Sequence, residues 1–369
     1  MLIYFSDFII IKKQIHFREL KMAEIEKLRK SIDEISLEIL NLLNKRADIV
    51  KQIGIEKEKL GIEICNPLRE ETLSSILCKN NKGPFSNEAI KRIFKTIYDE
   101  SKDLQIVKKD KITSLKIDLG NEIFIGKDSP IIMIAGPCSI ESEEQLDKTV
   151  SFIHEKGVKI LRGGAYKPRT SPYSFQGLGE KGLKLLQKYA KKYNMLSVSE
   201  ATTIENLKLV AQYCDIIQIG ARNMYSYPLL EATGKLKKPV ILKRHFSSTI
   251  KELLLSAEYI SKEGNNNIIL CERGIRTFET STRNTLDVSS IPILKKESCY
   301  PVIADLSHSA GRKDILNSLL GAVIGAGVNG IMVETHINPN EALSDGNQQM
   351  NKEEFFEFIN TFEKYSKIF

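Results

Sequence analysis

The sequence predicts an α/β protein: a (β/α)8 TIM barrel preceded by a three-helix, dimer-forming domain. Three observations support this. From residue 130 onward, eight short apolar runs, at 131–135, 159–163, 196–200, 216–220, 240–243, 268–271, 302–305 and 330–333, alternate with amphipathic stretches, as buried parallel strands joined by helices do. Polar and ionisable residues fall at the C-terminal ends of most of these runs, where a barrel gathers its chemistry; a doubly wound sheet, the competing arrangement, does not call for so many occupied strand ends. Ahead of them, residues 23–59 hold one helical periodicity without a proline.

Composition narrows the function classes. A chain of 369 residues with 42% hydrophobic content can build two domains and a sizeable core. The net charge of +7 is spread along the chain, without the basic block or aromatic platform of a nucleic-acid binder, so small anionic ligands are the expected partners and nucleic acid is not. Cys65, Cys78, Cys138, Cys214, Cys271 and Cys299 form no CxxC pair, which predicts reduced thiols in a cytoplasmic protein. Residues 1–11 are apolar but interrupted by Ser6 and Asp7, lack a basic start and are too short for a bilayer. No signal peptide or membrane segment is expected. Residues 1–21 are set aside as a disordered extension, followed by a helical domain at 22–107, a lysine-rich linker at 108–117 and the barrel domain at 118–369.

The first helix is read from Ile25, Leu28, Ile32, Ile35, Ile39, Leu42, Leu43, Ile49 and Ile53. Asn66 caps a second helix with Pro67 in its first turn, running to about residue 80; Ser86 or Asn87 caps a third, reaching about residue 107. Helices of such unequal length cannot enclose a core alone, so the long one is expected to pack against a second copy. Along them runs a polar set. Arg46 and Lys57 are about three turns apart and share a face, while Arg29 lies about 100° around the same helix and points elsewhere. Ser101 and Gln105 stack at i and i+4, and Arg69 and Glu70 open the second helix.

In order and nearly in spacing, Arg29, Arg46, Lys57, Arg69, Glu70, Ser101 and Gln105 resemble the active site of the all-helical chorismate mutases over about residues 23–107. The resemblance implies that Arg46 and Arg69 clamp the carboxylates of chorismate together with Arg29 of the partner protomer. It also implies that Lys57 and Gln105 bond the ether oxygen, that Glu70 holds the ring hydroxyl, and that prephenate is the product. Asn66 stands where that family commonly has aspartate, and a purely regulatory, non-catalytic reading of the domain rests on it.

Beyond the linker, residues 115–119 and 122–125 flank Gly120 and Asn121 as a hairpin that would close the bottom of the barrel. At the other end, Arg162, Lys167 and Arg169 converge over the second strand, where Gly163 and Gly164 admit a ligand to the backbone and Pro168 and Pro172 stiffen the loop. An anion is expected there. Arg222, Lys243 and Arg273 end three further strands. Cys138, His308, Glu334 and Asp345, from strands one, seven and eight and the loop after strand eight, form a thiolate, imidazole and carboxylate set suited to one divalent transition metal ion; Asp305 and His336 are rival ligands.

The barrel is similar to the short form of the 3-deoxy-D-arabino-heptulosonate 7-phosphate (DAHP) synthases, which are related to the 3-deoxy-octulosonate 8-phosphate synthases. The shared motifs are Ala-Gly-Pro-Cys-Ser at 135–139, Arg-Gly-Gly-Ala-Tyr-Lys-Pro-Arg-Thr-Ser-Pro at 162–172, Gly-Ala-Arg-Asn at 220–223, Leu-Lys-Arg at 242–244, Cys-Glu-Arg-Gly at 271–274, Ala-Asp-Leu-Ser-His at 304–308 and Ala-Leu-Ser-Asp at 342–345. Pro168, where the octulosonate enzymes usually have asparagine, favours erythrose 4-phosphate over a longer sugar. The resemblance implies that Arg222 and Arg273 bind the phosphate of phosphoenolpyruvate and that Arg162, Lys167 and Lys243 bind its carboxylate. Arg169 and Thr170 would bind the sugar phosphate, Lys167 would donate a proton, and Mn, Fe, Zn or Co would be the cofactor. A homo-oligomer is expected, with the helical domain relaying feedback inhibition from downstream products.

Overall fold

The computed structural model describes residues 3–60, 67–105, 114–169, 171 and 173–368, with side chains in the first three helices at 21–57, 69 and 71–101. The chain forms two compact units, Met1–Asp110 and Lys111–Phe369.

The first unit consists of α1 (Ile3–Leu60), α2 (Pro67–Asn80) and α3 (Asn87–Gln105). Residues 3–20, set aside above as disordered, continue the backbone of the 58-residue α1; no glycine or proline occurs before Gly54 to end it. Ser86 Oγ accepts from the Ala89 N–H at 3.1 Å and starts α3. Packing within the unit is thin. Val50 and Tyr98 are its buried apolar residues among those described, whereas Leu28, Ile32 and Leu42 are each at least 60% exposed.

The second unit opens with an antiparallel hairpin, β1 (Lys116–Gly120) and β2 (Ile123–Gly126). Its two-residue turn is Asn121 and Glu122, both at positive φ, one residue later than the sequence predicts, with Gly120 ending β1 opposite Ile123. Eight parallel strands follow: β3 (Ile132–Gly136), β4 (Ile160–Arg162), β5 (Leu196–Ala201), β6 (Ile216–Ile219), β7 (Val240–Lys243), β8 (Ile268–Glu272), β9 (Val302–Asp305) and β10 (Gly330–Glu334). They close into a barrel because β10 pairs with both β9 and β3. The helices between them, in chain order, are α4 (Glu143–Glu155), α5 (Glu180–Lys192), α6 (Ile204–Tyr213), α7 (Tyr227–Lys235), α8 (Ile250–Ser261), α9 (Ser290–Glu297), a short α10 (Leu306–Ala310) and α11 (Leu316–Gly325), with α12 (Lys352–Ser366) after the last strand. Capping boxes at Thr203, Thr249 and Asn351 satisfy orphan N–H groups at the starts of α6, α8 and α12.

Strand alternation divides the core into two layers. Ile134, Ile160, Val198, Ile216, Ile241, Ile269, Ile303 and Met332 face the barrel axis, and Ile117, Leu119 and Ile125 of the hairpin pack against them from below. Their neighbours Leu161, Ile217, Val240, Leu242, Ile268, Leu270, Val302 and Ile331 face the helices instead. The hairpin therefore closes the N-terminal end of the barrel axis with apolar side chains, and the buried ionisable groups along the axis lie at the other end. Among the described residues, no helix is long and apolar enough to cross a membrane.

Candidate active site

The same alternation selects the side chains at the mouth. Counting in twos from the axis-facing residues leads to Arg162 on β4, Glu200 on β5, Gln218 on β6, Lys243 on β7, Arg273 just past β8, Asp305 on β9 and Glu334 on β10. Arg244, one residue beyond Lys243, faces outward and is buried against Glu272 at 2.9 Å and Asp287 at 2.8 Å, bracing β7, β8 and the start of α9. It is a structural ion cluster and contributes nothing to the mouth.

Three potential metal donors, Cys138 Sγ and one carboxylate oxygen each from Glu334 and Asp345, lie within 4.8 Å of one another. His308 Nε2 is 3.6 Å from Glu334 Oε1. A thiol, two carboxylates and an imidazole at this spacing fit a divalent transition metal. Both rivals have other neighbours: Asp305 pairs with Lys243 and accepts the His308 backbone N–H at 3.0 Å, while His336 Nδ1 accepts the Asn338 N–H at 3.0 Å and its Nε2 lies 3.4 Å from Glu141 without a hydrogen bond. Asp305 Oδ2 is also 2.8 Å from His308 Nδ1, but without the alignment of a hydrogen bond.

Internal cations accompany the donors. Lys167 Nζ is 3.1 Å from Cys138 Sγ, Arg162 pairs with Glu334, and Arg283 is 3.2 Å from Asp345. Burial would raise the Glu334 carboxyl, but His308, Arg162 and Lys167 together hold it far below the usual carboxylate range. Burial, reinforced by Glu334, pushes the Cys138 thiol up to about 11. Burial also disfavours charge on Lys167, yet Cys138 and Glu334 leave its pKa raised. Gly164 lets Lys167 approach Cys138: a Cβ there would meet the Cys138 carbonyl at 2.5 Å and the Lys167 side chain at 2.9 Å. That close approach is between two parts of the chain, whereas the sequence suggested an approach to a ligand.

Around the donors is a cavity of about 490 Å³ lined by Arg162, Lys167, Arg169, Arg222, Lys243, Arg273, Arg276 and Arg283, against which Glu200 and Asp345 are the lining carboxylates. Arg162 Nε, Arg169 Nη2 and Arg273 Nη1 are buried there without a hydrogen-bond partner among the described residues. Buried donors in that state await an acceptor, and anionic oxygens would supply it. Thr170 lies outside the described residues. Sequence reasoning missed Arg276, Arg283, Glu200 and Gln218 as lining residues. Glu200 and Gln218 obey the strand alternation, but Arg276 and Arg283 come from a long loop that no periodicity indexes.

In the helical unit the structure brings Arg46 onto Ser101, with the guanidinium 5.4 Å from the centre of the Tyr98 ring. Arg29 is exposed and paired with Glu26 at 3.1 Å, Lys57 is half-buried, and Arg69 is exposed. The side chains of Glu70 and Gln105, and Asn66 altogether, lie outside the described residues.

Comparison with known proteins agrees with this fold. The model of the DAHP synthetase I family matches residues 105–369. The chain belongs to that family. Residues 28–106 match chorismate mutase type II, so this DAHP synthetase family member carries a mutase domain ahead of its barrel. It is 56% identical over 248 residues to the phospho-2-dehydro-3-deoxyheptonate aldolase of Thermotoga maritima, covering 67% of this chain and 73% of that one. The 2-dehydro-3-deoxyphosphooctonate aldolase of Fusobacterium nucleatum is more distant, 33% identical over 252 residues covering 63% of this chain and 88% of that one, and does not favour the octulosonate alternative. The crystal structure of DAHP synthase from Thermotoga maritima superposes with a TM-score of 0.67 at 53% identity, over 69% of this chain and 74% of that one. A truncated form of the same organism's enzyme gives 0.65 at 50% identity, over 69% and 93%.

Proposed function

We propose that the barrel, as a cytoplasmic enzyme, condenses phosphoenolpyruvate with D-erythrose 4-phosphate and water to give DAHP and inorganic phosphate. The observation that carries the reading is a cavity where eight cations meet a thiol, carboxylate and imidazole donor set. Arg222 and Arg273 hold the phosphate of phosphoenolpyruvate, and Arg162, Lys167 and Lys243 its carboxylate. Arg169 and Thr170 hold the sugar phosphate, for which a planar guanidinium fork is well shaped. Cys138, His308, Glu334 and Asp345 would hold one divalent ion, whether Mn, Fe, Zn or Co, and when bound it supplies Lewis acidity toward the sugar aldehyde. The clamps orient C3 of phosphoenolpyruvate toward the aldehyde carbon. C2 then takes up water and phosphate leaves. Lys167 Nζ holds the proton destined for the developing alkoxide.

The helical unit, in this reading, rearranges chorismate to prephenate as a homodimer. Ile25, Ile32, Ile35, Ile39 and Leu42 on α1 are 43–65% exposed in one copy. A second copy covering them contributes roughly 1.5–3 kcal/mol for each side chain fully buried. Arg46, Arg69 and the partner's contribution at the position of Arg29 hold the substrate carboxylates, Lys57 and Gln105 the ether oxygen, and Glu70 the hydroxyl. A pericyclic reaction needs no nucleophile beyond such positioning and charge stabilisation. The unit also relays feedback inhibition to the barrel, which is tested by adding prephenate to the full chain and to a version starting at Lys111; equal inhibition of both removes this part.

Both activities measured on one purified sample, with and without chelator, test the whole reading. Condensation lost on chelation with mutase activity retained supports it. Condensation indifferent to chelator, or faster with arabinose 5-phosphate than with erythrose 4-phosphate, overturns it.

A further inference from the structure

Two consecutive glutamines follow Asp345 at the end of a one-turn 3-10 helix, Gly346–Gln348, and both are buried, at 3% and 0% exposure. All four of their amide atoms reach segments around the donor cluster. Gln348 Nε2 donates to Glu334 Oε2 at 2.5 Å, and Gln348 Oε1 accepts from Arg283 at 2.8 Å, the same guanidinium that reaches Asp345 at 3.2 Å. Gln349 Oε1 accepts the backbone N–H of Cys138 at 2.9 Å, and its Nε2 donates to the Ser344 carbonyl at 2.8 Å.

The amide donates and accepts at this length without carrying charge or changing protonation state. An aliphatic side chain at 349 would strand the Cys138 N–H, and one at 348 would strand an oxygen of a buried carboxylate. The turn that directs the two side chains apart depends on backbone strain: Asp345 adopts φ 49, and a Cβ on Gly346 would lie 2.4 Å from the Pro339 carbonyl. Other ties join the same two loops. Ser139 and Ser344 share a hydroxyl bond at 2.6 Å, and Glu141 accepts the Leu343 N–H at 2.9 Å. Loss of one glutamine bond therefore leaves the loops attached.

We propose that Gln348 and Gln349 are positioning residues for the metal centre. Gln348 holds Glu334 by Oε2 while Arg162 holds it by Oε1, the oxygen nearer His308, so the two together set the orientation of the carboxylate, and Gln349 fixes the Cys138 backbone to the loop bearing Asp345. The proposal rests on the cluster being a metal centre. Outer partners of metal ligands typically contribute about 10–100-fold in affinity.

The test uses the full chain and cobalt(II) as the probe, with affinity from competition against a chromophoric chelator, the thiolate-to-cobalt absorption band, and thermal melting of the metal-free protein. Gln348→Met and Gln349→Met should each bind cobalt about 10–100-fold more weakly, with an altered band, and the metal-free protein should still fold, its melting lowered by several degrees by the stranded polar group. Gln349→Glu keeps the acceptor for Cys138 and, when protonated, the donor for Ser344, so it should stay within about threefold of wild type. A role in packing alone predicts the opposite order, with methionine tolerated and glutamate not. Affinities and bands unchanged in both methionine variants overturn the proposal, as does that reversed order. Should Gln348→Met fail to fold, the two Gln349 variants still decide. If wild type shows no cobalt band absent from Cys138→Ala, the metal reading itself falls and this inference with it.

Discussion

At the mouth of the barrel, polar groups from seven strands converge within one chain, whereas in the helical unit Arg29 and Arg69 face solvent and Arg46 finds Ser101 as its partner. The difference follows from how each unit satisfies its backbone and its apolar surface. Closing eight strands fixes every strand end at ladder spacing, so residues far apart in sequence meet without help. A 58-residue helix satisfies its own hydrogen bonds but cannot fold back on its apolar face. A site on a barrel can therefore be assembled within one copy, whereas the helical site, in the dimeric reading proposed above, draws on a second.

The sharpest way to break this contrast is at Cys138. Cys138→Ala should lower condensation on the order of 10³-fold or more, because several kcal/mol of Lewis-acid stabilisation go with the donor. Mutase turnover and circular dichroism should not change. A metal-free Cys138→Ala protein with full condensation activity would contradict the assignment. Next in size is the barrel's scaffold. Arg244→Met leaves the buried Glu272 and the half-buried Asp287 without their cation and should cost about 3–5 kcal/mol in denaturant unfolding of the barrel, with the helical unit less affected. An unchanged midpoint would show that the cluster is not what braces β7 and β8.

Arg29→Ala probes the other side of the comparison. Loss of a charge-assisted contact should reduce mutase activity about 10–100-fold and leave condensation alone. If Arg29 acts across a dimer, mixing Arg29→Ala with Arg46→Ala protein should restore part of the activity, since each mixed dimer regains one intact site. No recovery on mixing would make the helical site as self-contained as the barrel's.

The smallest effect expected is on acid stability. Burial would raise the Asp287 carboxyl, but Arg244 and Ser289 hold it below its ordinary value. Its contribution is therefore full above the unfolded carboxyl pKa of about 4 and is lost as pH falls through the lower folded value. Asp287→Asn should flatten that acid limb of the stability curve by a modest amount, and a limb as steep as wild type's would assign the loss to other carboxylates.

Much of the fold was legible because it is periodic. The runs at 240–243 and 302–305 coincide with β7 and β9, while the run at 159–163 shortens to Ile160–Arg162, since Gly163 already turns into the loop. The start of α1 was not legible, because an apolar, sparsely charged opening resembles a loose terminus, and nothing local says whether a helix continues through it. At the mouth, charge at strand ends marked Arg162, Lys243 and Glu334 in advance. Arg276, Arg283 and the paired glutamines were invisible, because an uncharged amide or a cation on a long loop has no pattern until its partners are known.

The sequence by itself determined the strand count, the unbroken first helix and the run of cations, thiol, imidazole and carboxylates after successive strands, because these depend on neighbours within a few residues. Tertiary structure alone decided that Lys243 turns to Asp305 while Arg244 turns to Glu272, and that His308 approaches Glu334 while His336 stays with Glu141. Those pairings depend on which face of each strand meets the axis and on which strand ends become neighbours once β10 closes on β3.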